Sequence, residues 1–207
     1  MWEQTHAREP VADLICNLPS ITERLNLKAL FSQEHDLEVE LGSGDGSFLV
    51  EHARQNTDRN FIGVERLLGR IRKMERKAKR LGLLNVRGIR IESSYLLEYL
   101  LPLQSISALH IYFPDPWPKR KHRRHRLINE RFPALAKSVL RRDGIVYLRT
   151  DDQDYFEQML AVFAATKEFK PLETTAALSA ITTDFERDFN ARGIKTLRAA
   201  YQISITS

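Results

Sequence analysis

An α/β fold on a mainly parallel sheet is what this sequence predicts, and three observations carry that reading. From Leu37 onward, short runs of strand-forming residues alternate with stretches of helical periodicity, the signature of βαβ units. A glycine cluster, Gly42-Ser43-Gly44-Asp45-Gly46, closes the first strand-like run and opens the first helical one. The tail departs from the alternation. Phe169–Glu173 and Leu197–Ile205, separated by the polar segment Thr174–Gly193, read as an antiparallel strand pair.

Taken in order, Leu37–Leu41 is the first strand and Ser47–Gln55 the first helix. Asn60–Glu65 is a strand, Leu68–Leu81 a helix closed by Gly82, and Val86–Ile91 the third strand. An apolar helix is expected around Tyr95–Leu101, then a strand at Ser107–Phe113 and a helix over Leu127–Leu140. Gly144–Arg149 is the fifth strand and Gln153–Ala165 a further helix. With the tail pair, the sheet has seven strands. Residues 1–35 read as a leader broken by Pro10 and Pro19, with one helix expected near Ser20–Phe31. Residues 36–207 form one domain, a length that buries a substantial core.

The formal charge of +5 comes from 32 basic and 27 acidic residues, and the excess is concentrated. Lys119–Arg126 holds six Lys or Arg residues and two histidines, and Arg66–Arg80 holds eight against the single acid Glu75. Such local fields suit a polyanionic partner. Cys16 is the only cysteine, which excludes an internal disulfide and a Cys-based zinc site. The histidines show no metal-ligand spacing, so no metal is expected. The first residues lack a signal-peptide pattern, and no window reaches the roughly 18 apolar residues of a membrane span. A cytoplasmic protein is expected, with no membrane and no obligate protein partner.

The glycine loop sits where a parallel sheet binds ligands, at the carboxyl edge of its strands. Its spacing is G-x-G-x-G with Glu40 two residues ahead. A dinucleotide site more typically shows G-x-G-x-x-G facing a pyrophosphate. The acidic version suits a ligand with an amino acid group and no phosphate, such as S-adenosylmethionine. Glu65 ends the second strand, 23 residues after Gly42, where a carboxylate can accept both ribose hydroxyls. Glu92-Ser93-Ser94 occupies the third strand's end, where an acid or amide often reads adenine.

The most specific stretch is Phe113-Pro114-Asp115-Pro116-Trp117 with its basic tail. Each proline fixes its own φ and biases its predecessor toward extended backbone. Asp115 is therefore aimed rigidly beside a phosphate-binding density. Trp117 is read as a stacking platform for a base or as a hydrophobic plug under the loop.

With Thr150-Asp151 and Thr183-Asp184-Phe185-Glu186, these elements resemble the bacterial tRNA (guanine-N7)-methyltransferase family from about Leu37 to the C-terminus. The resemblance implies a Rossmann-like class I S-adenosylmethionine-dependent methyltransferase that forms 7-methylguanosine in the tRNA variable loop. It implies a cofactor site at Glu40, Gly42, Gly44, Glu65, Ser93, Ser94 and Asp115, with Asp115 also catalytic. It places Lys119, Asp151, Thr183, Asp184, Phe185 and Glu186 at substrate positions. Arg120, Lys121, Arg123, Arg124 and Arg126 then hold RNA phosphates. Two departures from the family pattern stand out: Ser93-Ser94 replaces an acid or Asn followed by Ala, and His125 replaces an Arg. The alternatives are a methyltransferase of another RNA base and an inactive RNA-binding relative. A nicotinamide-dependent dehydrogenase is disfavoured by the glycine spacing.

Overall fold

The computed structural model describes residues 13–204. The first twelve residues of the leader, Pro10 among them, lie outside the described residues. In chain order the strands are β1 (Ile15–Cys16), β2 (Asp36–Leu41), β3 (Arg59–Val64), β4 (Val86–Ile89), β5 (Ile106–Tyr112), β6 (Leu140–Thr150), β7 (Phe169–Leu172) and β8 (Leu197–Ile203). The helices are α1 (Ser47–Gln55), α2 (Leu68–Arg80), α3 (Ser93–Tyr95), α4 (Phe132–Val139), α5 (Gln153–Ala164), α6 (Ala176–Ala180) and α7 (Asp184–Ala191).

One eight-stranded sheet runs β1-β4-β3-β2-β5-β6-β8-β7, parallel through β6 and antiparallel at β8 and β7. The seven predicted strands are present. The eighth, β1, is a two-residue parallel edge on β4, contributed by the segment read as leader. Successive βα units run outward from β2 to β4, and the chain then returns to place β5 on the other side of β2. The topological switch point therefore lies between the carboxyl ends of β2 and β5, where open α/β sheets bind ligands.

Alternation along β2 decides what fills each face. Leu37, Val39 and Leu41 point into a core shared with α4, α5 and the turn after α3. Glu38 and Glu40 point to the opposite face, under α1, and both are buried. Beside them, Leu49, Val50 and Ala53 of α1 pack with Ile71, Met74 and Ala78 of α2. Gly46 caps the start of α1 with φ at 75°, and a Cβ there would stand 2.3 Å from Met74 Cγ. Only glycine permits both the left-handed turn and this close approach of α2.

Several boundaries depart from expectation. The helix predicted near Ser20–Phe31 is reduced to a 3-10 turn at Leu27–Ala29. Ser20 Oγ instead accepts from the Thr22 and Glu23 amides, a local alternative to helix. Leu25 N donates to Leu100 O at 2.8 Å, strapping the segment across the end of the turn Leu96–Leu100. That turn is π-helical, closed by Leu101 N on Leu96 O. The helix expected from Leu127 begins only at Phe132, because Pro133 is tolerated in a first turn and not further in. The polar segment 174–193 carries α6 and α7, where the sequence pattern predicted no element.

Candidate active site

The loop after β2 and the loop after β5 face each other across the switch point. They enclose a cavity of about 770 Å³, within the range of small-molecule sites. Gly42, Gly44 and Gly46 all have left-handed φ, and a Cβ on Gly42 or Gly44 would meet nothing within 4 Å. The backbone is thus presented bare to the cavity. Glu65 fixes this loop: its Oε2 accepts from Gly44 N at 3.2 Å and its Oε1 from Leu67 N at 2.7 Å. Each oxygen keeps lone-pair capacity for a further donor.

Glu40 is the most unusual group in the wall. It is 3% exposed, and among the described residues its Oε2 has no hydrogen-bond partner. Burial pushes its carboxyl up to about 8; Arg149 opposes the shift while Asp45 and Glu65 add to it. An unpaired buried carboxylate is costly. A cationic donor in the cavity would relieve that cost.

On the facing side, Asp115 stands exposed between Pro114 and Pro116. The bracket is tightened by left-handed backbone at Phe113 (φ 50°) and Trp117 (φ 43°), conformations that cost about 1–3 kcal/mol each for non-glycine residues. Arg126 holds the strained loop in place. It is 1% exposed, donates to Pro116 O, Gln158 and Asp154, and lies over the Tyr155 ring. Arg126 was expected to bind phosphate; its guanidinium is instead committed inside the protein. Trp117 remains 37% exposed at the cavity mouth, with His125 5.2 Å away by ring centroids, so it is not a buried plug.

Of the other expected residues, Asp151, Thr183 and Phe185 line the cavity, as does Ser93. Ser94 does not reach it; Glu92 caps α3 through the Tyr95 amide. Asp184 sits at the start of α7, paired with Arg187 and 3.7 Å from Lys77, which also holds Asp45 at 2.6 Å. Lys119, Arg120, Lys121 and Arg124 are exposed beside the mouth, and Arg123 pairs with Asp154. Glu186 departs most from its expected role. It is fully buried and its two oxygens are taken by Arg149, at 3.0 Å, and by Arg198.

Sequence reasoning missed two networks. Arg149, buried at the end of β6, donates to Leu178 O and Ile181 O as well as to Glu186, and lies over Tyr112. It thereby clamps α6 and α7 onto the sheet, and α7 brings Phe185 and Phe189 to the cavity. The second network contains histidines in which no ligand spacing was read. Glu38 Oε2 accepts from His52 and His110, at 3.0 and 2.7 Å, while Oε1 takes Arg59. The outer imidazole nitrogens meet Asn56 and Tyr112 OH. Every polar atom of this cluster is thereby satisfied within the protein, as a buried polar core requires. Burial drives His110 toward neutrality, with Glu38 opposing. These hydrogen bonds join residues 14 and 72 positions apart, so no local spacing announces them. A signal did exist for α7: Thr183-Asp184-Phe185-Glu186 is also a capping-box pattern, and Thr183 Oγ1 accepts from Glu186 N at 2.9 Å.

The strand order, the acidic glycine loop and a cavity at the switch point define a class I methyltransferase fold. The solved 16S rRNA methyltransferase KamB has that fold too, with TM-score 0.63 at 18% identity, covering 88% of this chain and 95% of its own. A family model described as "Putative methyltransferase" matches residues 34–199. The chain is 31% identical to the tRNA (guanine-N(7)-)-methyltransferase of Geobacillus kaustophilus over 86% of its length and 83% of that protein. It is 36% identical to the protein of that name from Nitrosococcus oceani over 72% of its length, a match that spans only 63% of the relative. The chain belongs to this methyltransferase family.

Proposed function

We propose that this protein transfers a methyl group from S-adenosylmethionine to N7 of a guanine in the variable loop of tRNA. The observation that carries the reading is the pairing at one cavity of Glu40, with its unpartnered buried oxygen, and Asp115, held between prolines beside an exposed cationic run. The carboxyl groups of Glu40 and Glu65 in the cavity wall suit a cationic cofactor, whose ammonium would favour the ionised form of Glu40; the cationic rim suits RNA. Glu40 Oε2 fits the cofactor's ammonium group, and Gly42 and Gly44 leave room for its close approach. Glu65 would accept the ribose hydroxyls, and Ser93, which lines the cavity beside Glu92, would contact the adenine.

The bound cofactor supplies an activated methyl group on a positively charged sulfur. Guanine N7 offers an in-plane lone pair, so attack needs no proton removal and no general base. The N7–C bond forms as the C–S bond breaks, and the positive charge passes to the ring. What the protein contributes is alignment, worth about 7–11 kcal/mol in well-oriented systems, and electrostatics. Asp115 would accept from guanine N1–H and its amino group and offset the charge arriving on the base. Trp117 and Phe185 offer exposed faces on which an extruded base can stack, at about 1–3 kcal/mol each. Lys119, Arg120, Lys121 and Arg124 would hold phosphates and add affinity without sequence discrimination.

The test is transfer of labelled methyl from S-adenosylmethionine to unmodified tRNA, with NAD present as a competitor. Labelled RNA, unaffected by NAD, is expected. Absence of label in RNA, or inhibition by NAD, overturns the reading.

A further inference from the structure

The second basic block of the sequence forms α2, which starts at the cavity rim and runs away from it. Its inner residues Ile71, Met74 and Ala78 are buried against the sheet. Its outer face carries Arg72, Lys73, Arg76 and Arg80, all exposed. Among the described residues, none of these four has a carboxylate partner; Glu75 is taken by Lys79 and the Leu14 amide. Arg72, Arg76 and Arg80 follow at i, i+4 and i+8, so like charges stand one above another. Such pairs destabilise a helix. A stripe without carboxylate partners among the described residues suits an external polyanion.

Two further observations fix where that polyanion lies. Arg66 and Arg70, at the start of the stripe, line the cavity itself, and Arg70 sits 5.8 Å from the Phe185 ring centroid. Trp117 and His125 line the opposite rim, where the first basic run begins. The cavity mouth therefore lies between two cationic tracks. A membrane surface fits poorly, because a helix lying on lipid must turn its apolar face outward, and that of α2 is consumed by the core. At 13 residues and roughly 1.5 Å per residue, α2 is about 20 Å long.

We propose that Arg72, Lys73, Arg76 and Arg80 of α2 form a second phosphate-binding track, so that tRNA spans the cavity with its backbone held on both rims. This rests on the reading of the site as an RNA methyltransferase and adds where the substrate lies. The target base enters from between the tracks, and the α2 track sets the direction from which the rest of the tRNA approaches.

The test compares the full-length protein with Arg72→Ala/Arg76→Ala/Arg80→Ala and with Arg120→Ala/Lys121→Ala/Arg124→Ala. Affinity for unmodified tRNA is measured across a salt series, alongside S-adenosylmethionine affinity and thermal stability. The α2 variant should lower the log–log salt slope by about 0.7–0.9 for each phosphate no longer neutralised, roughly 2–3 in all. It should leave cofactor affinity intact, and its melting temperature should not fall, since like-charge pairs are removed from the helix. An unchanged slope, with the second variant still losing affinity, overturns the α2 track and leaves the functional reading standing. If wild-type protein shows no salt-dependent tRNA binding, the reading and the track fall together. Unchanged tRNA binding with loss of binding to phosphatidylserine vesicles would overturn it in favour of a membrane surface.

Discussion

Replacing Glu186 with glutamine separates two accounts of one residue. Its motif position assigns it to the substrate, whereas its surroundings assign it to the clamp on α6 and α7. Glu186 is fully buried, with Arg149 at 3.0 Å and only 2% exposed, and Arg198 on its other oxygen. At an effective dielectric of 20, a unit pair at that distance attracts by about 5.5 kcal/mol. Glutamine keeps an acceptor worth about 1 kcal/mol, and Arg149 keeps two carbonyl partners. Breaking a buried pair by neutralising one partner generally costs about 3–5 kcal/mol. A loss of about 3–4 kcal/mol is therefore expected. At about 2–4 °C per kcal/mol for a domain of this size, that is a fall of about 6–16 °C in Tm. Scanning calorimetry reads the shift directly, and tRNA affinity at low temperature, where the variant remains folded, should stay within about twofold of wild type. An unchanged Tm together with a large loss of tRNA binding would refute the clamp and return Glu186 to the substrate.

Glu40, pushed up to about 8 by burial, is mostly protonated in the free protein at neutral pH. This contribution to stability is fully present below the ordinary carboxyl pKa near 4.5 and is lost as pH rises through about 8. Since a bound ammonium favours the carboxylate, S-adenosylmethionine affinity measured by calorimetry should rise from about pH 6 to pH 7.5, below the usual α-amino pKa. Glu40→Gln should flatten both dependences, and a variant that keeps them would place the titrating group elsewhere. Arg124→Ala should reduce the salt slope of tRNA binding by about 0.7–0.9 with no change in Tm. Arg126→Ala should instead lower Tm by about 4–12 °C, from about 2–3 kcal/mol of lost buried hydrogen bonds; the reverse pattern would contradict their placement. Asp115→Asn should slow single-turnover methylation by roughly 10²–10³ with tRNA affinity retained, and near-wild-type chemistry would remove Asp115 from the mechanism.

The sheet was legible in the sequence because its strands are short apolar runs between helices, and periodicity reports such burial directly. The cofactor loop was legible because glycines at 42, 44 and 46 answer a local backbone need that neighbouring residues reveal. Other features depend on interactions that no window spans. Arg126 reads as one more cation in a basic run until Asp154 and Gln158 of α5 are brought against it. Glu38 reads as a polar residue on a strand until His52 and His110 converge on it. Around Leu27–Ala29 the predicted helix gives way to Ser20's local hydrogen bonds and to the tertiary strap on Leu100, a case of context overriding propensity. Thr183–Glu186 carries two readings at once, a helix cap and the segment that the family resemblance assigns to substrate. Thr183 and Phe185 reach the cavity, while Glu186 turns away from it to the clamp.

Methylation of N7 at one guanine of tRNA is the claim on which the roles of Glu40, Asp115 and the cationic rim all depend. Unmodified tRNA should be incubated with the protein and methyl-labelled S-adenosylmethionine, digested to nucleosides, and the labelled product identified and mapped. Label is expected in 7-methylguanosine alone, from a single position in the variable loop. Label in another nucleoside, at guanines outside that loop, or absent from RNA while the cofactor is bound would contradict it.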